Sequence, residues 1–341
     1  MGVANTTLYP GRVNCKHTRA LVQYSHRHRP AALKTSTVYS GPRETPAMTT
    51  ATVTGLNIHP IKSCRSLSVD RISLDQYGVA DDRRLMVVDS SGRFVSQRKF
   101  PILATVTACY VSEGDDGRVL TVSAPSASSE LRLTPVMVGP RVPCTVWGTN
   151  VQLVDQGDEA ATWFSNLIGL SGLYRLVGCG KCDGGYDRRV DNLPSSLKHR
   201  LPPMSVSLAD AAPVSIVSQE SLEDLNTRMR SLYDTEVPLN RFRINIEIEG
   251  VNGAFEEDKW LLVRVGEVPF LAYANAERCK MTGIDQLSGS VDKVGPLEVL
   301  RSYRAPGGPA HAMFGQFMVP LQSGGTVHLG DKITVLERKK H

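Results

Sequence analysis

The sequence predicts a β-rich fold of mixed α/β class, a barrel-like β architecture with helices added at its edges. Two observations lead to this prediction. Most apolar segments are short and are separated by turns rich in glycine and polar residues, and only two segments place their apolar residues at helical spacing. Many short strands with few helices are typical of barrels and sandwiches. No internal repeat is present in the sequence.

The first half of the body is predicted to contain two hairpins and one helix. The arms of the hairpins are residues 84–89 with 93–97 and residues 102–111 with 118–123, each pair joined by a polar turn. The helix covers Asp158–Ile168, because its apolar residues fall on one face and Gly169 follows where a C-cap is expected.

A long loop or interdomain crossing is predicted at residues 178–203, where glycines and prolines alternate with charges. A second helix follows at 218–232, in which Ser221 and Asp224 resemble a capping box. The remaining segments are predicted strands: the alternating Ile244, Ile246 and Ile248, the hairpin of 260–265 with 268–273, and the C-terminal runs 315–321, 326–329 and 332–336.

The positive charge of the chain is concentrated at its N-terminus. Lys and Arg total 39 against 34 Asp and Glu, a formal net charge of +5. Residues 1–50 hold seven of the basic residues and one acid, Glu44, which leaves 32 basic against 33 acidic residues in the body. A nucleic-acid-binding domain carries its excess charge on the folded body, so this class of function is not favoured.

The first fifty residues are basic, acid-poor and contain eleven Ser and Thr, which indicates a transit peptide for the mitochondrion or another organelle. Two alternatives stay open. The N-terminus fits a myristoylation pattern with Gly2 as acceptor, in which case the protein is cytoplasmic and its basic residues assist a single acyl chain. Otherwise the segment is a disordered tail, or sequence that precedes a start at Met48.

The cysteine content predicts reduced thiols and an intracellular compartment. There are seven cysteines, an odd and scattered set that does not resemble a disulfide framework. No run of roughly 20 mostly apolar residues occurs, so no transmembrane segment is predicted.

The common catalytic signatures are missing from the sequence, including those of P-loop kinases, Rossmann dehydrogenases, zinc proteases and α/β-hydrolases. Cys179 and Cys182 form a weak metal candidate. They offer two thiolates, with His199 as a third ligand, whereas a structural zinc site needs four. Whether this pair binds anything stays open.

Cys279 is the cysteine best placed for chemistry. It follows an apolar strand between Arg278 and Lys280, whose charges favour the reactive and metal-binding thiolate. Taken alone, this pattern favours a buried, inert cysteine. Three further places put a cation or hydroxyl at a strand start, where a phosphate can be held: Lys62-Ser63, Arg83-Arg84 and the pair Arg241 and Arg243. The prediction of one anion site depends on whether these residues converge.

Separated runs of the sequence form a recognisable set. They are Ile58-His59-Pro60-Ile61-Lys62-Ser63-Cys64, Asp82-Arg83-Arg84-Leu85-Met86-Val87-Val88, residues 240–246, Glu277-Arg278-Cys279, Asp285-Gln286-Leu287-Ser288-Gly289, Pro296-Leu297-Glu298, Arg301-Ser302-Tyr303-Arg304 and Phe314-Gly315-Gln316-Phe317. In type and order this set resembles the MOSC-domain molybdenum enzymes, and most closely the mitochondrial amidoxime reducing component family. The resemblance covers about residues 52–337.

The resemblance implies a domain organisation and a cofactor. Residues 51–177 would form a MOSC N-terminal β-barrel domain and residues 204–338 a MOSC β-barrel domain with peripheral helices, joined by 178–203 and preceded by the targeting or disordered residues 1–50. The molybdenum cofactor, Mo-molybdopterin, would lie between the domains. Cys279 matches the family's metal ligand and catalytic cysteine. The matches to its phosphate- and pterin-holding residues are Lys62, Ser63, Arg83, Arg243 and Arg278.

The resemblance also implies an activity, the reduction of N-hydroxylated compounds such as amidoximes, hydroxylamines and N-hydroxylated bases. It implies electrons from cytochrome b5 and NADH-cytochrome b5 reductase, reduction of nitrite to nitric oxide as a second activity, nitrate reductase as a further partner, and pyridoxal phosphate binding. Two alternatives stay open: a carrier that holds the molybdenum cofactor without turnover, and a sulfurtransferase whose Cys279 carries a persulfide.

The chain departs from the family pattern at two places. Ala211-Ala212 precede Pro213 where the family often has Thr-Ser, and Phe317 stands where a family tyrosine lies near the cofactor. We expect these changes to affect details of cofactor binding or substrate preference. Members of the family often carry an N-terminal membrane anchor helix, which this sequence does not predict.

Overall fold

The computed structural model describes residues 47–113, 117–169, 173–180, 186, 188–190, 193–195, 197 and 205–340. Within these residues the chain forms eighteen strands and three α-helices. The strands are β1 Ala47–Ile58, β2 Leu67–Ser68, β3 Arg71–Asp75, β4 Gly78–Val79, β5 Leu85–Val88, β6 Thr107–Glu113, β7 Gly117–Ser123, β8 Leu131–Leu133, β9 Arg141–Val146, β10 Thr149–Asp155, β11 Arg175–Gly178, β12 Val214–Ser218, β13 Ile246–Glu249, β14 Trp260–Val265, β15 Val268–Glu277, β16 Met313–Pro320, β17 Thr326–His328 and β18 Lys332–Arg338. The helices are α1 Asp158–Ile168, α2 Gln219–Tyr233 and α3 Pro296–Tyr303, and short 3-10 turns cover Pro101–Thr105, Leu239–Phe242, Glu256–Lys259 and Lys280–Gly283.

Seven strands close into a barrel. Their order is β13-β12-β16-β15-β14-β18-β1, and β1 pairs again with β13 to complete the ring. All seven strands contribute to one buried apolar cluster, in which Trp260 is the largest side chain. Along β13, Ile246 and Ile248 face this cluster, whereas Glu247 and Glu249 do not belong to it. This alternation of apolar and polar residues is typical of a barrel wall with its core on one side.

Three smaller sheets accompany the barrel, with strand orders β5-β11-β10-β9, β6-β7-β8 and β17-β3-β4. Helix α1 packs its apolar face, including Trp163 and Phe164, into a second core with Leu120 and Leu176. Strand β1 belongs to the start of the body, yet it closes the barrel with strands that follow residue 213. The division of the chain into domains at 51–177 and 204–338 stays a prediction.

The predicted β-rich class with helices at the edges is confirmed. Helix α1 has the predicted bounds, and Gly169 ends it in a left-handed conformation with φ of 88°. The hairpins β6–β7 and β14–β15 form as antiparallel pairs. These segments were predictable because their hydrophobic period and turn residues favour the same structure.

Other local predictions were wrong. Residues 102–105 belong to a 3-10 turn that begins at Pro101, because proline suits the first position of a helical turn but cannot donate to a strand ladder. The arm 93–97 of the first hairpin forms only isolated bridges, one of them between Val88 and Phe94. Ser218 caps helix α2 by accepting from the backbone N–H of Ser221, so Ser221 lies inside the helix.

Several predictions fall on residues outside this description. They are the transit, tail and myristoylation alternatives for the segment before Ala47, and a metal role for Cys182 and His199 in the 178–203 segment. Among the residues that are described, no group of three or more His, Cys, Asp and Glu side chains is arranged to hold a metal ion. No helix of the described chain is both long enough and apolar enough to cross a membrane.

Candidate functional site

One cleft brings together all six residues that the sequence marked for the site. It encloses about 770 Å³, part of it open to solvent. Its wall comes from both halves of the chain. The predicted residues on it are Lys62, Ser63, Arg83, Arg243, Arg278 and Cys279.

The backbone of the cleft is unusual at several of these positions. Ser63, Arg83 and Arg243 adopt left-handed conformations, with φ of 66°, 48° and 56°. Residues other than glycine rarely take this conformation, which costs free energy and persists where the surrounding structure imposes it. The backbone N–H of Arg83 is held by the His59 carbonyl at 2.7 Å. Such conformations cluster at functional sites, which supports the assignment of this cleft.

Two cations of the cleft, Arg243 and Arg278, form no ion pair among the described residues. The other two are paired, Lys62 with Asp210 and Arg83 with Asp82. Burial lowers the pKa of Lys62 to about 8, although Asp210 opposes the change. Burial, followed by repulsion from Arg83, lowers the pKa of both Arg243 and Arg278 to about 10. An anion bound among these side chains would oppose both effects, because its negative charge favours the charged form of each cation.

Arg278 has a fixed position and a spare donor. Its Nε donates to the Phe314 carbonyl at 2.8 Å and its Nη1 to the Phe242 carbonyl at 3.0 Å. Its Nη2 is buried and finds no hydrogen-bond partner among the described residues. A buried donor without a partner is costly, so this atom is available to an acceptor on a ligand of the cleft.

Cys279 is exposed at the cleft, directly after strand β15. Its carbonyl accepts from both the backbone N–H and the hydroxyl of Thr282, each at 3.1 Å, which fixes the backbone that carries the thiol. The other cysteines of the described chain are buried: Cys64, Cys109, Cys144 and Cys179. The alternative of a buried, inert thiol therefore applies to those four and not to Cys279.

Asp210 on the wall of the cleft, and Trp147 and Arg98 beside it, were not predicted from the sequence. Asp210 accepts from Lys62 Nζ and also from Trp147 Nε1, the latter at 2.9 Å. Arg98 lies over the Trp147 ring at 5.0 Å and places its Nη1 at 3.9 Å from the Cys279 sulfur. These residues come from distant parts of the chain, so no local pattern could have indicated them.

Asn245 also lines the cleft, and its Oδ1 accepts from Ser215 Oγ at 3.1 Å. The signal for this residue in the sequence was its polar side chain within an alternating run of isoleucines.

Arg241 and Arg243 are neighbouring candidates that differ in their partners. Arg241 pairs with Asp285 and Asp292 at 3.2 and 2.9 Å, so its charge is already neutralised. Arg243 has no such partner among the described residues, which is why it remains the better candidate for an anion.

The two departures from the family pattern lie at the cleft itself. Ala211, Ala212 and Phe317 all line its wall. The side chains at these positions are methyl groups and a phenyl ring, which offer no hydroxyl group to a ligand. The effect on cofactor binding or substrate preference stays a prediction.

A buried imidazole supports the Arg83 side of the cleft and predicts a pH dependence of stability. Burial, with repulsion from Arg83 and Arg243, lowers the pKa of His59 from 6.5 to about 3. The unfolded chain therefore binds this proton below pH 6.5 while the folded chain does not. We expect the free energy of unfolding to fall by up to about 1.4 kcal/mol per pH unit as the pH drops from 6.5 to 4.5.

Urea unfolding of a His59→Gln variant at pH 7, 6, 5 and 4.5 checks this expectation. The variant should show a shallower loss of stability than the wild type over that range. His328→Gln is the control, because His328 is exposed and should leave the slope unchanged. Equal slopes in the wild type and His59→Gln would contradict the assignment.

Comparison with known proteins gives matches to both halves of the chain. A model of the MOSC N-terminal beta barrel domain matches residues 50–171, and a model of the MOSC domain matches residues 203–334. Mitochondrial amidoxime reducing component 2 of Bos taurus is 35% identical over 260 residues, which covers 74% of this chain and 72% of the relative. Mitochondrial amidoxime-reducing component 1 of Mus musculus is 32% identical over 295 residues, with coverage of 84% and 82%.

Proposed function

The chain belongs to the family of mitochondrial amidoxime reducing components, with MOSC N-terminal and MOSC domains, and on this premise we propose that it is a molybdenum-cofactor-dependent reductase of N-hydroxylated compounds. The substrates are amidoximes, hydroxylamines and N-hydroxylated bases. The observation that carries the proposal is the convergence of an exposed thiol, Cys279, with four cations in one cleft.

The residues of the cleft fit an anionic cofactor. Lys62, Ser63, Arg83, Arg243 and Arg278 would hold the phosphate and pterin of Mo-molybdopterin. Two features support this assignment: the Arg278 Nη2 atom lacks a hydrogen-bond partner, and Arg243 and Arg278 form no ion pair among the described residues. Charge-assisted hydrogen bonds from Arg and Lys are the usual means of holding a phosphate in a protein.

Cys279 fits the role of metal ligand. A soft thiolate suits molybdenum, and one is enough because the dithiolene of the pterin and oxo groups fill the other positions. The exposed sulfur stands at the end of a barrel strand, with its backbone fixed by Thr282. The role proposed for Cys279 is therefore to bind and tune the metal.

The cofactor, when bound, would supply the two electrons of the reduction, in which a hydroxylamine with two protons and two electrons gives an amine and water. The chain contributes binding and protons. Glu277 lines the cleft and lies 3.3 Å from His311 Nδ1, a pair able to hold a proton. Arg98, 3.9 Å from the Cys279 sulfur, can orient the polar end of a substrate.

The electron donors proposed are cytochrome b5 and its NADH-dependent reductase, and the compartment proposed is the mitochondrion. The names of the relatives and the transit-like composition of the N-terminus support the compartment. Nitrite reduction to nitric oxide is proposed as a second activity, because it also removes an oxygen from nitrogen: nitrite with two protons and one electron gives nitric oxide and water.

A second candidate function is sulfur transfer, which the exposed thiol of Cys279 favours. In that case a persulfide sulfur on Cys279 would pass to an acceptor, and no molybdenum would be needed. A carrier that holds the cofactor without turnover is the third.

Turnover of benzamidoxime with cytochrome b5, its reductase and NADH tests the proposal. We expect benzamidine to form in proportion to the NADH consumed, and no product when cytochrome b5 is omitted. A protein that contains molybdenum and pterin, but forms no benzamidine either with these electron donors or with a chemical reductant, would instead be a carrier. A protein free of both, with a persulfide on Cys279, would be a sulfurtransferase.

A further inference from the structure

A second cleft lies outside the barrel, and it shares no lining residue with the first. It encloses about 1010 Å³, part of it open to solvent. Its wall is formed by the segment that follows strand β1, the first two turns of helix α2, the turn before Arg241 and strand β13. None of the functions considered above uses this cleft.

Glu247 is the acidic group of this cleft. Burial raises the pKa of its carboxyl. A hydrogen bond that Asn57 Nδ2 donates to Oε1 at 2.8 Å acts in the opposite direction but does not cancel this effect. The neighbouring strand carries Gly55, and a Cβ there would stand 2.5 Å from Glu247 Oε2. The glycine therefore makes room for the carboxylate. No Lys, Arg or His of the described residues forms an ion pair with Glu247.

Arg65 is the basic group of the same cleft. It is half-buried and burial lowers its pKa, while the charge of Asp285 raises it. Asp285 is already paired with Arg241 at 3.2 Å. In the part of the chain that the structure describes, the Arg65 guanidinium has no hydrogen bond or ion pair. Arg65 and Glu247 thus line one cleft without being paired to each other.

Asn240 adds an acceptor without a donor. Its side-chain oxygen is buried and has no hydrogen-bond partner among the described residues. Asn226, in the same wall, differs because it bonds both backbone groups of Val237, at 2.9 and 3.0 Å. Leu67, Leu222 and Leu239 add apolar surface to the same wall.

We propose that this cleft binds a small zwitterion of amino-acid size. Its ammonium group would donate to Glu247 and to the Asn240 oxygen, and its carboxylate would pair with Arg65. Leu67 and Leu222 would contact the methylene chain between them. Partly buried charges are rarely left unpaired, so one ligand with two opposite charges satisfies both at once. Each contact would be a charge-assisted hydrogen bond.

Calorimetric titration of the full-length protein with ω-amino acids from glycine to 6-aminohexanoate tests the proposal, because the series varies the distance between the two charges. We expect at least one member to bind with a dissociation constant at or below about 1 mM, at least about tenfold tighter than the amine and the acid of the same length. The purified protein serves in any state of cofactor loading, so the result is independent of the reductase proposal.

Two variants assign the charges. Glu247→Gln keeps an acceptor for Asn57. It should weaken binding of the zwitterion about tenfold, to the affinity of the simple acid. Arg65→Gln removes a guanidinium that has no hydrogen bond in the described structure, so the variant should fold normally. It should weaken binding of the zwitterion to the affinity of the simple amine. Glu249→Gln, on the same strand outside the cleft, is the matched control and should bind like the wild type.

Failure of the whole series to bind at about 1 mM overturns the proposal. Binding that is unchanged in both Glu247→Gln and Arg65→Gln overturns it equally, because the ligand would then sit elsewhere. Equal affinity for the zwitterion, the amine and the acid would show adsorption on the apolar wall, and that outcome also contradicts it.

Discussion

A Cys279→Ser variant is expected to reduce benzamidoxime more than about 100-fold more slowly than the wild type. Loss of a residue that only hydrogen-bonds to a metal ligand costs up to about 100-fold, and Cys279 is proposed as the ligand itself. The reason is the chemistry of the side chain. A serine hydroxyl is a hard and weakly acidic group, whereas molybdenum favours a soft thiolate. The side chain is exposed at the end of β15, so the substitution removes no core packing. The loss should therefore appear in the maximal rate and not in thermal stability.

The matched control for this experiment is Cys109→Ser. Cys109 lies on strand β6, far along the chain from the cleft and absent from its wall. Its substitution is expected to lower stability because the thiol is buried, but it should leave turnover per molybdenum unchanged. Loss of turnover in the control together with full turnover in Cys279→Ser would contradict the assignment of the catalytic thiol.

An Arg278→Gln variant is expected to weaken retention of the cofactor by about 10- to 100-fold, because hydrogen bonds to charged groups contribute about 1.5–3 kcal/mol each. The spare Nη2 donor of Arg278 is the atom proposed to hold the phosphate. Glutamine removes the charge and the planar fork that the Phe314 and Phe242 carbonyls fix. Pterin content after extended dialysis, measured by fluorescence of the oxidised pterin, checks the expectation.

The control variant is Arg228→Gln, an exposed cation of helix α2 that bonds Asp224 within its own helix. It should retain the pterin of the wild type, since it does not line the cleft. A general effect of lost positive charge would lower pterin in both variants. Wild-type retention in Arg278→Gln would show that the phosphate does not bind there.

The candidate site could be predicted from the sequence to the extent that single residues carry recognisable motifs. Cys279 and the cations were marked because their neighbours in sequence are unusual and because the motifs resemble a known family. Their convergence was not predictable from local patterns. Lys62 and Asp210 are 148 residues apart, and Arg98 and Cys279 are 181 residues apart. Contacts of this kind depend on strand order, which hydrophobic periodicity does not encode.

The fold shows the same division between local and distant information. Helix α1 was predictable to its last residue because the apolar face and Gly169 agree. Helix α3 was overlooked although its signals are present: Pro296 begins it, and the Glu298 side chain accepts from the backbone N–H of Gly295 at 3.1 Å. The closed barrel was predicted only as a class, because the pairing of β1 with both β13 and β18 joins the two ends of the body.

The molybdenum and pterin content of the purified protein decides whether this chain holds the molybdenum cofactor through Cys279. The proposed function predicts that wild-type protein from a cell that makes the cofactor carries molybdenum and pterin in equal amounts. It also predicts that Cys279→Ser has lost molybdenum, turnover or both. Wild-type protein with neither molybdenum nor pterin, or Cys279→Ser with wild-type molybdenum content and wild-type turnover, would contradict it.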